Sequence, residues 1–327
     1  MNGYPPKRPS DASPQGAPPA ARRSRFRGGT GEDTSLMNPL LPVLALMFNA
    51  LVWGISWWPF RQLEAHGLHP LWATAFIYAF SLACLLAVRP GAWRGFMSQP
   101  LLWLLMASSG LTNVGFNWAV TVGDVVRVVL LFYLMPAWSV LLAWPLLGER
   151  PTPASLLRLV LALAGVVIVL KTDGTAWPVP EGLPDWLALA GGFCFALTNI
   201  LLLKLNRVPG ESRVLAMFGG GTLMAVAAAS VGMAQGLVSA PPAPGMGWLV
   251  LGLVLGMCFL IGNLALQYGA ARLAAHTTAL VMLSEVVFAS VSSVALGAAQ
   301  LTGQTLLGGA LILLAAAWSV WPAGARH

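Results

Sequence analysis

Ten apolar stretches, parted by short polar breaks, fill almost the whole chain from Leu40 to Trp321. A helix needs about 20 mostly apolar residues to cross the hydrocarbon core of a bilayer. Every backbone amide in that core must be bonded within the protein, so runs of this length are helical. The composition agrees, with 57% hydrophobic and only 9% charged residues, where a soluble domain carries about 25% charged. The expected fold class is an all-α polytopic membrane protein with ten transmembrane helices. Spans are predicted over Leu40–Phe60, Pro70–Val88, Pro100–Val120, Val125–Leu147 and Ala154–Lys171. After a polar break come Pro184–Leu205, Arg213–Leu237, Gly247–Tyr268, Ala274–Gly297 and Gln304–Trp321. Little chain remains for a soluble catalytic domain, and the chain is not expected to be an enzyme.

The net charge of +7 invites a nucleic-acid reading, but its distribution argues against one. Part of the excess lies in residues 1–36, at Lys7, Arg8, Arg22, Arg23, Arg25 and Arg27. That segment is rich in Pro, Gly, Ser and Arg and has no apolar periodicity, so it is expected to be a disordered tail. It is not a signal peptide, because the first apolar run comes late and is too long. No folded reading module accompanies the charge, so no nucleic-acid partner is expected. The partner is the lipid bilayer, whose anionic headgroups suit such a tail.

The remaining cations set the orientation. With the N-terminus in the cytoplasm, Arg89, Arg94, Arg150, Arg158, Lys204, Arg207, Arg213, Arg272 and Arg326 fall inside. Only Arg61, Arg127 and Lys171 fall outside. Cytoplasmic loops carry the excess of Lys and Arg, so both termini are expected to be cytoplasmic. Glu64, Asp124, Asp173, Glu181 and Asp185 all fall outside.

The longest break between spans, from Thr172 to Asp185, lies near the middle with five spans on either side. The two halves echo each other. Asn117-Trp118-Ala119, Gly123 and Arg127 are followed by Asn263-Leu264-Ala265, Gly269 and Arg272. Leu147-Gly148-Glu149 is matched by Leu296-Gly297-Ala298. An odd number of spans per half inverts the second copy. The predicted organisation is a first repeat over 37–171, a linker over 172–183 and a second repeat over 184–322. Inverted repeats of this kind belong to secondary transporters, whose substrate site lies between the repeats near the midplane.

Trp53-Gly54 in the first span, and Pro136 followed by Leu147-Gly148-Glu149-Arg150 at the end of the fourth, resemble the EamA-type carriers of the drug/metabolite transporter superfamily. The runs 127–150 and 282–297 resemble the aromatic amino acid exporters within it. The resemblance implies two inverted five-helix repeats around a central cavity. It implies export of amino acids, with aromatic or other apolar side chains, across the bacterial inner membrane, and a periplasmic linker. It leaves export of small cationic drugs or other metabolites open, with or without proton coupling. The chain departs from the pattern at Ala298-Ala299-Gln300, where a Leu-Gly-Glu ending is usual, so a role for that acid falls on Glu149 alone. Pro136 also lacks a proline partner; Ser284-Glu285-Val286 stands there instead.

Glu285 is the one carboxylate deep in a span. A charge at that depth costs about 3 kcal/mol on insertion scales, so it is expected to face the interior, either as a proton or ammonium site or as a helix-locking group. Trp53, Tyr78, Tyr133 and Trp138 lie toward span centres; they either line the cavity or pack. Asn49, Asn113, Asn117, Asn199 and Asn263 sit within spans, where an amide can hold either end of a zwitterion or bond across helices. The candidate substrate-binding set is Asn49, Trp53, Tyr78, Asn113, Asn117, Tyr133, Trp138, Asn199 and Glu285, with Pro136 as a hinge. Cys84, Cys194 and Cys258 lie in separate spans, and His66, His69 and His276 show no metal spacing. No metal, no cofactor and no Walker A loop is expected. The working unit is expected to be a monomer.

Overall fold

The first apolar run does not fold as one rod. Ser56 breaks it, its hydroxyl donating back to the Trp53 carbonyl at 2.8 Å, which leaves α1 (Leu40–Ile55) and α2 (Trp57–Ala65). The computed structural model describes residues 40–97, 99–148, 150–171, 179–270, 272–273, 278 and 281–320. The basic tail over 1–36, Glu149, Asp173, His276 and most of the linker lie outside the described residues. Within them the structure is helical, with no strand.

The second span forms α3 (Pro70–Val88), with the bounds expected. A short helix that the sequence reading missed, α4 (Ala92–Met97), leads into α5 (Leu101–Val122). The fourth span is broken into α6 (Val125–Phe132) and α7 (Met135–Leu147). Pro136 explains the break, because it has no N–H to offer the carbonyl of Phe132 one turn back. α8 (Pro153–Leu170), α9 (Leu183–Lys204), α10 (Gly210–Ala234) and α11 (Met246–Ala270) follow. The ninth span is also interrupted, with a turn at Leu283 ahead of α12 (Ser284–Ala295). α13 (Gly303–Val320) is the last helix described.

Seven helical runs among the described residues, with α1–α2 and α6–α7 each taken as one, are long and apolar enough to cross a membrane, and Ser284–Ala295 and Gly303–Trp318 are shorter apolar helices. α5 is not one of the seven, and packing explains why. It carries Ser108, Ser109, Thr112, Asn113, Asn117 and Thr121, all buried. It packs against α9 on one side and α10 on another, so its polar groups meet protein instead of lipid. Thr198 donates to Ser108 at 3.0 Å and Asn117 to Thr74 at 3.2 Å. The outer faces are apolar and bare, as at Trp103, Leu163, Val250 and Leu314. An apolar surface of that extent suits lipid, not water. The chain is a multi-pass membrane protein.

The packing pairs exchange when each helix of the first half is swapped for its counterpart in the second. α5 lies on α9 and α11 on α1; α6 and α7 lie on α9, and α12 on α1; α5 lies on α10, and α11 on α3. The pairs α3–α10, α8–α13 and α6–α12 map onto themselves. At the α8–α13 crossing a Cβ on Gly165 would stand 2.6 Å from the Gly308 carbonyl oxygen, and one on Gly308 would stand 2.7 Å from that of Gly165. Only glycines allow that approach. The matched Leu-Gly endings also share a conformation: Gly148 and Gly297 close α7 and α12 with φ of 74° and 68°. This left-handed region is open to glycine at little cost.

Candidate functional site

The broken helices meet in the middle of the molecule. At the break of the fourth span, the Tyr133 hydroxyl lies 3.1 Å from Glu285 Oε2 and 3.2 Å from the Met282 carbonyl oxygen. The Met282 carbonyl sits at the break of the ninth span, where regular helix bonding lapses, so a side chain satisfies it. Glu285 stands in the first turn of α12. α1 crosses close by: a Cβ on Gly54 would meet the Glu285 carbonyl oxygen at 2.8 Å.

A cavity of about 960 Å³ surrounds this junction. Its inner end is a layer of rings. Trp53 stacks on Phe259 with centroids 4.6 Å apart and presents an edge to Phe116 at 5.9 Å. Phe116 meets Phe132 at 4.8 Å, and Phe132 meets Phe195 at 5.5 Å. Tyr78 closes the layer beside Phe259 and Phe218, and donates to Asn113 Oδ1 at 2.5 Å. From the rings the cavity runs outward past Ser139 and Asn263 to the loop between α7 and α8 and the first turns of α8, where Arg150, Thr152 and Arg158 line it. Arg150 and Thr152 are exposed, so this end is open.

The other end is shut. Behind the rings, Val120, Val125, Val128 and Val129 are fully packed. Arg127 grips Asp185 with two parallel hydrogen bonds of 2.9 and 2.8 Å, and its remaining nitrogen donates to the Val169 carbonyl at 2.9 Å. One side chain thereby ties α6 to α9 and to the end of α8. Arg61 donates to the Thr121 carbonyl at 3.0 Å and to the Gly123 carbonyl at 2.5 Å. Paired Arg–carboxylate bonds and cations at helix C-termini are among the stronger surface links.

Of the candidate residues, Asn49, Trp53, Tyr78 and Asn113 line the cavity from α1, α3 and α5. Tyr133, Asn199 and Glu285 line it from the other side, as does Pro136. Two candidates do not line it. Asn117 is fully buried one turn past Asn113, with its amide given to Thr74. Trp138 turns its ring edge-on to Phe193 at 5.7 Å. The expected set also omitted Phe259, Phe195, Phe218 and Met282. The three phenylalanines were visible as aromatics within spans of the second half, whereas Met282 carried no signal of its own. Glu149 lies outside the described residues.

Residues 40–171 match the EamA-like transporter family, of the drug/metabolite transporter superfamily. The match covers the segment predicted as the first repeat. No curated protein matches the sequence. One solved crystal structure, 22% identical, superposes over 85% of this chain and 95% of its own with a TM-score of 0.54. At that identity the likeness concerns the fold alone.

Proposed function

We propose that this protein is a secondary transporter that exports amino acids with aromatic side chains across the bacterial inner membrane by alternating access. One observation carries the reading: a ring-walled cavity of about 960 Å³, open at one end only, that holds a single carboxylate among its described lining residues. Small-molecule sites are apolar hollows of about 300–1,000 Å³ with a few placed polar groups. Stacked rings offer faces to an aromatic side chain. The match of residues 40–171 to a transporter family supports the class.

Two inverted five-helix repeats, over 37–171 and 184–322, organise the carrier. The exchange of packing pairs between the halves, and the shared left-handed glycine endings, support that symmetry. The open end bears Arg150, Arg158 and Arg272, so the positive-inside rule makes it cytoplasmic. The state described is thus inward-facing, with the Arg127–Asp185 end toward the outside. That one chain encloses the cavity supports a monomeric working unit.

Efflux of labelled phenylalanine from preloaded proteoliposomes tests this. Protein-dependent efflux without an imposed ion gradient is the expected result. Efflux that appears only after a pH step makes the carrier proton-coupled. Absence of efflux under both conditions overturns aromatic amino acid export. A second reading, export of small cationic drugs, is favoured by the same carboxylate among rings, and competition between phenylalanine and such cations separates the two.

A further inference from the structure

Asn49 is 1% exposed, and its Oδ1 has no hydrogen-bond partner among the described residues. Its Nδ2 reaches only the Met282 sulfur, at 3.6 Å. A buried amide oxygen left without a donor costs about 1–3 kcal/mol, and unlike the equally orphaned Asn117 Oδ1 this one belongs to a residue that lines the cavity. Glu285 repeats the pattern. It is 8% exposed, and its one described hydrogen bond comes from Tyr133. No described Lys or Arg pairs with it; the cations that line the cavity are Arg150 and Arg158, in the loop and first turns at the mouth. Asn49 and Glu285 sit on α1 and α12, which pack together; Asn49 reaches the Met282 sulfur, and Tyr133 donates to both the Met282 carbonyl and Glu285. Trp53 lies one turn along from Asn49 and turns its ring into the same cavity.

We infer that Asn49 Oδ1, the Glu285 carboxylate and the Trp53 ring form a seat for a protonated amine carried by the substrate. The inference rests on the transporter reading and narrows it: the amine is required, and a carboxylate on the substrate is not. An ammonium offers three N–H donors and one positive charge. It thereby satisfies the unpartnered Asn49 oxygen and neutralises the carboxylate. The ring face adds attraction for a cation. Tyr133 has one hydroxyl proton and two acceptors within reach.

Binding of labelled phenethylamine to the purified full-length chain tests the seat, with phenylpropionate and phenylalanine as competitors. Phenethylamine and phenylalanine are expected to compete, and phenylpropionate is expected to compete at least tenfold more weakly. Glu285→Gln keeps the shape and removes a buried charge, so it folds; it is expected to weaken phenethylamine tenfold or more. Asn49→Leu is expected to weaken it several-fold. If phenylpropionate competes as well as phenethylamine, if no phenethylamine binds, or if Glu285→Gln binds it unchanged, the seat is overturned. Phenethylamine bound through Glu285 without phenylalanine efflux keeps the seat and removes amino acid export. Phenylalanine efflux untouched by Glu285→Gln does the reverse.

Discussion

At the shut end of the cavity Arg127 spans three helices, holding Asp185 on α9 and the Val169 carbonyl on α8. At the open end the arginines stay mostly on their own helices. Arg272 donates to the Tyr268 carbonyl one turn back and lies over the Tyr268 ring at 3.9 Å. Arg158 donates to Ala154 on its own helix and reaches α13 at one residue, through a long 3.4 Å bond to the Trp318 carbonyl and over the Trp318 ring at 5.9 Å. Both ends carry arginines, so charge alone does not close a gate. What differs is the number of separate helices one guanidinium holds at once. A planar group with five donors suits that task.

The comparison breaks most sharply at Arg127. Arg127→Ala leaves Asp185, whose side chain is 7% exposed, without its cation. Orphaning a largely buried carboxylate costs about 3 kcal/mol. The expected outcome is a lower melting temperature and at least tenfold faster maleimide labelling of a cysteine placed at Val128. Adding Asp185→Asn removes the orphaned charge and recovers part of the stability without closing the end. Labelling that stays at the parent rate would show that the valine layer, not the guanidinium, shuts this end.

Arg61 gives the next effect in size. It holds the Thr121 and Gly123 carbonyls at the end of α5, and lies over the Trp57 ring at 5.1 Å. Arg61→Gln loses charge-assisted bonds to a helix end worth about 1 kcal/mol, with labelling at Val128→Cys raised only a few-fold. Arg158→Ala, at the open end, is expected to change stability by about 0.5 kcal/mol or less and to leave that labelling alone. Should Arg158→Ala match Arg127→Ala in either readout, the two ends are not held differently.

Much of this was legible from the sequence. Glu285 stood out as one carboxylate in an apolar run, and the cost of burying it pointed inward. Asn49 and Trp53, four apart on one helical face, both reach the cavity. Asn113 and Asn117 are also four apart, yet only Asn113 lines it. Spacing gives a shared face but not depth along the helix, and the ring layer falls between them. Trp138 failed for another reason. The helix restarts after Tyr133–Leu134, so the rotation of α7 is not continuous with α6, and counting residues across the break misdirects the ring. Pro136 marked that break; nothing local marked its counterpart at Leu283. The Arg127–Asp185 pair joins residues 58 apart in sequence. The positive-inside rule put both on one side, but only packing makes them partners.

The smallest effect separates a titrating cap from a fixed one at the shut end. His69 precedes α3, and its Nδ1 accepts from the Leu71 amide at 3.2 Å while its ring lies edge-on to Trp118. That bond needs Nδ1 unprotonated, and burial lowers the pKa of the ring from its ordinary value. The unfolded chain therefore binds the proton more readily, with a pKa of about 6.5, and folding stability rises with pH across that region. The contribution of the cap is complete above about pH 6.5 and is lost as pH falls through the lower folded value. Asn accepts the same bond without titrating. Between pH 7.5 and 5, the parent is expected to lose about 1 kcal/mol or less beyond His69→Asn, read as a wider drop in melting temperature. If acid also speeds labelling at Val128→Cys in the parent but not in His69→Asn, the entrance to α3 shares in shutting this end. Parallel pH profiles for the two proteins would confine closure to the arginines.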